Sequence, residues 1–121
     1  MFKSKGKVIY GPEIRAILSV DKGLSSYYFS LIPKYYCCKW QLYPPHISFV
    51  RNETPKNMKF WKKYSREIVE FEYSPTIHRD ETYFWINAYC ERLCDIRLEL
   101  GLPKFKYGTH FHITLGNVKK E

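Results

Sequence analysis

Apolar residues in this chain fall in short runs whose spacing changes along the sequence. Residues 14–20 (IRAILSV) are apolar and rich in β-branched side chains, and Asp21-Lys22-Gly23 follows as a turn signal, so a strand is predicted there. Leu24, Tyr27, Tyr28, Leu31 and Ile32 then recur at helical intervals, up to Pro33. Residues 40–50 are predicted to be extended, because Pro44-Pro45 hold the chain out of helix just before His46. A loop over 52–55 leads into a short basic helix predicted at 57–66. Residues 68–73 alternate apolar and acidic side chains, as a half-exposed strand does. Residues 74–81 suggest a polar turn, and 82–89 (TYFWINAY) another strand. The strongest helix signal is at 91–100, where Leu93, Ile96, Arg97 and Leu100 share a face before Gly101 and Pro103. Residues 110–115 form the last predicted strand. The order β-α-β-α-β-β-α-β predicts an α+β fold, and with no Pro/Gly-rich linker to divide it, residues 1–121 are expected to form one domain.

The element order hints at duplication. A strand starting at Ile14 is followed by a helix and, 32 residues on, by His46-Ile47-Ser48. A strand starting at Thr82 is followed by a helix and, 30 residues on, by His112-Ile113-Thr114. The expectation is two pseudo-symmetric β-α-β lobes, with antiparallel sheets around a central cleft.

Composition narrows the partners. The formal charge is +8 and aromatics make up 18% of the residues, more rings than a small core uses easily. That combination favours an anionic partner, with a nucleotide or RNA substrate first. No apolar run has the roughly 18 residues of a spanning helix, and the N-terminal stretch lacks the apolar segment and cleavage site of a signal peptide. A cytoplasmic protein with no membrane association and reduced cysteines is expected. The cysteines are adjacent at 37 and 38 and four apart at 90 and 94, neither being the spacing of a structural zinc site. No metal and no cofactor are expected.

The candidate chemistry lies in the two repeated motifs. Strand residues i and i+2 point to one face, so His46 projects beside Ser48 and His112 beside Thr114. Two imidazoles titrating near neutral pH can serve as general base and general acid. Two hydroxyls can hydrogen-bond the non-bridging oxygens of a phosphate. Cleaving a phosphodiester needs that set. His110 is two residues from His112 and is expected at the rim. Tyr10, Tyr43, Trp85 and Tyr107 are candidate stacking surfaces for bases. Arg15, with Lys5, Lys7, Arg51, Lys104 and Lys106, is a candidate phosphate contact. His78, in SPTIHRDE, is expected to be solvated.

The paired motifs in PHISFV and FHITLG, with the helix ending in Gly-Leu-Pro before the second, resemble the 2H phosphoesterases, also called LigT-like. The resemblance runs from Ile14 to Gly116. It implies a metal-independent phosphodiesterase acting on a 2′,3′-cyclic phosphate, a 2′–5′ linkage or a cyclic oligonucleotide. His46 and His112 would be the catalytic pair, and Ser48 and Thr114 the phosphate-binding hydroxyls. In size the chain is similar to small viral members that degrade host nucleotide signals. The alternative is a nucleotide- or RNA-binding module of the same fold without catalysis.

Overall fold

The computed structural model describes residues 1–41, 43–106 and 108–118. Seven strands and two helices follow one another: β1 Phe2–Tyr10, β2 Ala16–Val20, α1 Lys22–Ser30, β3 Lys39–Trp40, β4 His46–Val50, β5 Ile68–Arg79, β6 Tyr83–Tyr89, α2 Glu91–Glu99 and β7 Phe111–Asn117. The alternation seen in the sequence sets the faces. Ala16, Leu18 and Val20 of β2 are buried while Ile17 and Ser19 are half-exposed, and Phe84, Ile86 and Ala88 of β6 are buried while Trp85 and Asn87 are half-exposed. The buried faces share one core with Tyr28 and Ile32 from the first helical region and Leu93, Ile96 and Leu100 from the second.

Local chemistry sets the helix ends. The Asp21 side chain accepts from the Gly23 backbone N–H at 3.1 Å and caps α1. After α2, Gly101 takes φ +79° to turn the chain out of the helix. A side chain there is doubly disfavoured, since a Cβ would also come within 2.9 Å of Lys56 Cβ.

All strand pairs are antiparallel, in the order β3-β7-β4-β2-β1-β5-β6, and β6 also pairs with β7. The sheet therefore closes on itself as a six-strand barrel, with β3 appended to β7. The α+β class agrees with the sequence reading. The two sheets expected around a cleft are instead joined edge to edge, through β1–β5 and β4–β7. The β4–β7 seam is short: the strands meet at one register pair, Ile47↔Ile113.

The connectivity is repeated. The order β1-β2-α1-β4 recurs as β5-β6-α2-β7, with β3 inserted in the first. Each histidine strand also carries the same irregularity. Ser48 pairs with Ile17 and Val50 with Ala16, so Phe49 is an extra residue. Thr114 pairs with Trp85 and Gly116 with Phe84, so Leu115 is the matching extra residue. A bulge one residue after each hydroxyl bends both strands at equivalent places.

Three local expectations change. Strand β1 lacked a sequence signal, because Lys3, Lys5 and Lys7 alternate with only a few buried positions; ladders to β2 on one side and β5 on the other hold it extended. The basic helix over 57–66 is a single 3₁₀ turn at Met58–Phe60, followed by turns in which Lys62 and Arg66 have φ of 68° and 69°. Those left-handed residues break any helix. The polar turn over 74–81 is mostly strand: β5 runs on to Arg79 through an irregularity between Tyr73 and Ile77, and Asp80 makes the turn by accepting from the Thr82 and Tyr83 N–H groups.

Candidate active site on the polar face of the sheet

The pair Ile47↔Ile113 decides the geometry of the site. Both isoleucines are fully buried, so their neighbours at i±1 face the other way. His46 and Ser48 on β4 and His112 and Thr114 on β7 therefore share the polar face. The antiparallel register sets His46 across from Thr114 and Ser48 across from His112. The two histidines are diagonal neighbours, about 7–8 Å apart at the backbone, near enough for the charge of His46 to act on His112. Neither the Ser48 nor the Thr114 hydroxyl bonds a protein group among the described residues.

The histidines differ in their surroundings. His46 Nδ1 is 2.8 Å from the Pro44 carbonyl oxygen. A carbonyl can only accept, so Nδ1 carries the hydrogen, and Nε2 is left for the site. The proline pair thus orients the ring as well as keeping the chain extended. His112 keeps an exposed edge, yet packing around its ring pushes its pKa below the ordinary histidine value. The charges of His110, His46 and Arg51 add to that shift. His112 accordingly stays neutral to a lower pH than an ordinary histidine.

A second row of groups extends the face over β6 and β5. Thr114 pairs with Trp85, His112 with Asn87 and Trp85 with His78. The Trp85 ring meets His112 edge-on at 6.5 Å and stacks beside His78 at 5.9 Å. Trp85 Nε1 donates to Asn87 Oδ1 at 3.1 Å, and Asn87 Nδ2 donates to His78 Nε2 at 3.2 Å. His110 lies beside Tyr89, with ring centroids 5.9 Å apart. All four histidines of the chain thus lie on this face.

Of the residues singled out from the sequence, the structure brings together His46, Ser48, His112, Thr114, Trp85 and His110. Arg51 is near enough for its charge to act on His112. Tyr43 is exposed in the segment before β4. Arg15 is exposed at the β1–β2 turn, its carbonyl accepting from Gly11 N–H. Tyr10 lies on the opposite face: it pairs with buried Ala16 and packs edge-on against Trp61. Tyr107 lies outside the described residues. Asn87 and His78 were missed. Strand alternation from Trp85 would have found Asn87. Nothing local marks His78, because Pro75 hides the continuation of β5.

Among the described residues, no three His, Cys, Asp or Glu side chains converge as a metal site requires. Cys90 and Cys94 are buried, and burial pushes both thiols up; Cys37 is exposed. No helix among the described residues is long and apolar enough to cross a membrane. Comparison with family models, with curated proteins and with solved structures returns no match.

Proposed function

We propose that this chain is a metal-independent phosphodiesterase that works by two-histidine general acid–base catalysis. Its two repeats are the pseudo-equivalent lobes of a 2H phosphoesterase-like fold. The observation that supports the reading is the shared face of His46, Ser48, His112 and Thr114 about the Ile47↔Ile113 pair. The substrate class is a 2′,3′-cyclic phosphate, a 2′–5′ linkage or a cyclic oligonucleotide.

In hydrolysis, neutral His112 takes a proton from the attacking water as its oxygen bonds phosphorus. Protonated His46 gives its Nε2 proton to the leaving oxygen as the old P–O bond breaks. The Ser48 and Thr114 hydroxyls donate to the non-bridging oxygens, where charge builds up. The lowered pKa of His112 suits it to the base role, and the Pro44 carbonyl accepts from His46 Nδ1–H while Nε2 is protonated.

The test is a panel of 2′,3′-cyclic nucleotides, 2′–5′ and 3′–5′ oligonucleotides and cyclic dinucleotides, assayed in EDTA. Turnover that persists in the chelator and disappears in His46→Ala and His112→Ala supports the reading. Turnover that needs an added divalent ion, or no turnover on the whole panel, overturns it.

A further inference from the structure

The two sides of the polar face differ in chemistry, and the difference runs in a line through the histidine pair. On one side Lys7 pairs with Ser19 and Ser19 with His46. On the other, Thr114 pairs with Trp85 and Trp85 with His78. His46 and Thr114 flank the same pair of isoleucines. The line is therefore aromatic at one end and cationic at the other.

The cationic end is a built hollow. Lys7, Val8, Ile9, Tyr10, Ser65 and Arg66 line an open hollow of about 520 Å³ where β1 leaves β5; Lys7 lies on the polar face and Tyr10 on the opposite one, so the hollow sits at the edge of the strand. The Arg66 backbone N–H donates to the Val8 carbonyl at 2.8 Å, which pins the loop against the strand. Neither Lys7 nor Arg66 has an acidic partner among the described residues. Their neighbours differ in this respect: Lys5 and Lys3 stand across from Glu70 and Glu72. The nearby acids are engaged elsewhere, Glu67 with Arg92 and Glu99 with Lys63 and Tyr64.

The order of these groups matches successive parts of one nucleic-acid strand. Trp85 is one strand from Thr114, about 5 Å, and Lys7 is two strands from His46, about 10 Å before its four-carbon stem is counted. We propose that this face binds an oligonucleotide in one orientation. A base stacks over Trp85 and His78, the reacting phosphate lies between His46 and His112, and the next phosphate of the strand occupies the hollow between Lys7 and Arg66. The preferred ligand then carries at least one phosphate beyond the reacting one. This rests on the phosphodiesterase reading for the central phosphate.

The probes are the dinucleoside monophosphate ApA and two forms with one phosphate more, pApA and ApAp, each with 2′–5′ and 3′–5′ linkage. Binding is measured by calorimetry on the double variant His46→Ala, His112→Ala, which consumes no ligand. One of the extended forms is expected to bind at least tenfold tighter than ApA and with a steeper salt dependence. Adding Lys7→Gln and Arg66→Gln should erase that gain and leave ApA unchanged, while Lys7→Arg alone should keep it. Trp85→Ala should weaken all three forms by roughly tenfold. Unfolding temperatures of the variants confirm that each is folded. Equal binding of the three forms, or a gain that survives the two Gln substitutions, overturns the placement. If the gain depends on Lys7 and Arg66 but the wild type cleaves nothing in the panel above, the placement stands and the phosphodiesterase reading falls. If the wild type cleaves the panel but the gain is absent, the reverse holds.

Discussion

The two helices occupy equivalent places in the repeat and are held by different chemistry. Each has nine residues and is separated from the strand before it by a single residue, Asp21 or Cys90. The seventh residue faces the core in both. In α1 it is Tyr28, in edge-on contact with Tyr73 of β5. In α2 it is Arg97, with a side chain 1% exposed. Its guanidinium donates to the Phe49 carbonyl at 2.7 Å, the Pro103 carbonyl at 2.8 Å and both oxygens of Glu53. Phe49 directly follows Ser48, and Pro103 lies on the path from α2 to β7. One buried cation therefore ties together the segments that carry both histidine motifs. Repetition set the frame, and the second half acquired a polar clamp that the first half replaces with ring packing. The polar faces divide in the same manner: Trp85 and Ile17 hold equivalent positions opposite Thr114 and Ser48, one a stacking surface and the other an aliphatic side chain.

The sharpest challenge to this symmetry is to remove one histidine at a time. His46→Ala and His112→Ala should each lower the rate by roughly 10²–10⁴-fold. The double substitution should cost far less than the product of the two, because the pair acts as a unit. Single-turnover kinetics on folded variants checks this; full activity in both single variants would end the two-histidine mechanism.

The helix clamps come next. Arg97→Ala leaves Glu53 partly buried without its partner and should destabilise the fold by about 3–5 kcal/mol. Tyr28→Phe, at the equivalent position, removes one hydroxyl and should cost only about 0.5–1.5 kcal/mol. Denaturant unfolding of the two variants tests the contrast, and equal losses would refute it. The clamp also has a pH signature. Hydrogen bonds from Arg97 hold the Glu53 carboxyl below its ordinary pKa. Its contribution is therefore present above the ordinary carboxylate pKa and is lost as pH falls through the depressed value. Glu53→Gln should flatten the loss of stability in acid, measured as unfolding free energy against pH.

Smaller effects separate the two polar faces. Trp85→Ala should weaken nucleotide binding by about 1–3 kcal/mol, while Ile17→Ala should leave it nearly unchanged. Comparable losses at both positions would mean the aromatic side has no special role. The smallest expected effect is a shift in pH dependence. With its pKa lowered, His112 stays neutral to below the ordinary histidine pKa of about 6.5, so the acid limb of the pH–rate profile should lie below that pH. His110→Gln removes one of the charges that depress it and should move the limb upward. An unmoved limb would show that His112 is not the base.

What the sequence determined by itself was local. The alternation of 82–89, the helical face of Leu93, Ile96, Arg97 and Leu100, and the stop at Gly101 are short-range properties of the chain, and each appears in the structure. The i, i+2 rule likewise placed each histidine beside its own hydroxyl. Tertiary structure decided what depends on pairing between distant segments. β1 is a strand because β2 and β5 flank it, and the loop over 57–66 is irregular where it packs on Tyr10 and Glu99. His78 joins the polar face because β5 continues past Pro75 to pair with Trp85. Above all, the register Ile47↔Ile113 brings the two motifs together. A slip of one residue there would turn one motif into the core, because side chains in a strand alternate faces with a period of two. No local spacing encodes that register. It follows from burying both isoleucines at once in the shared core.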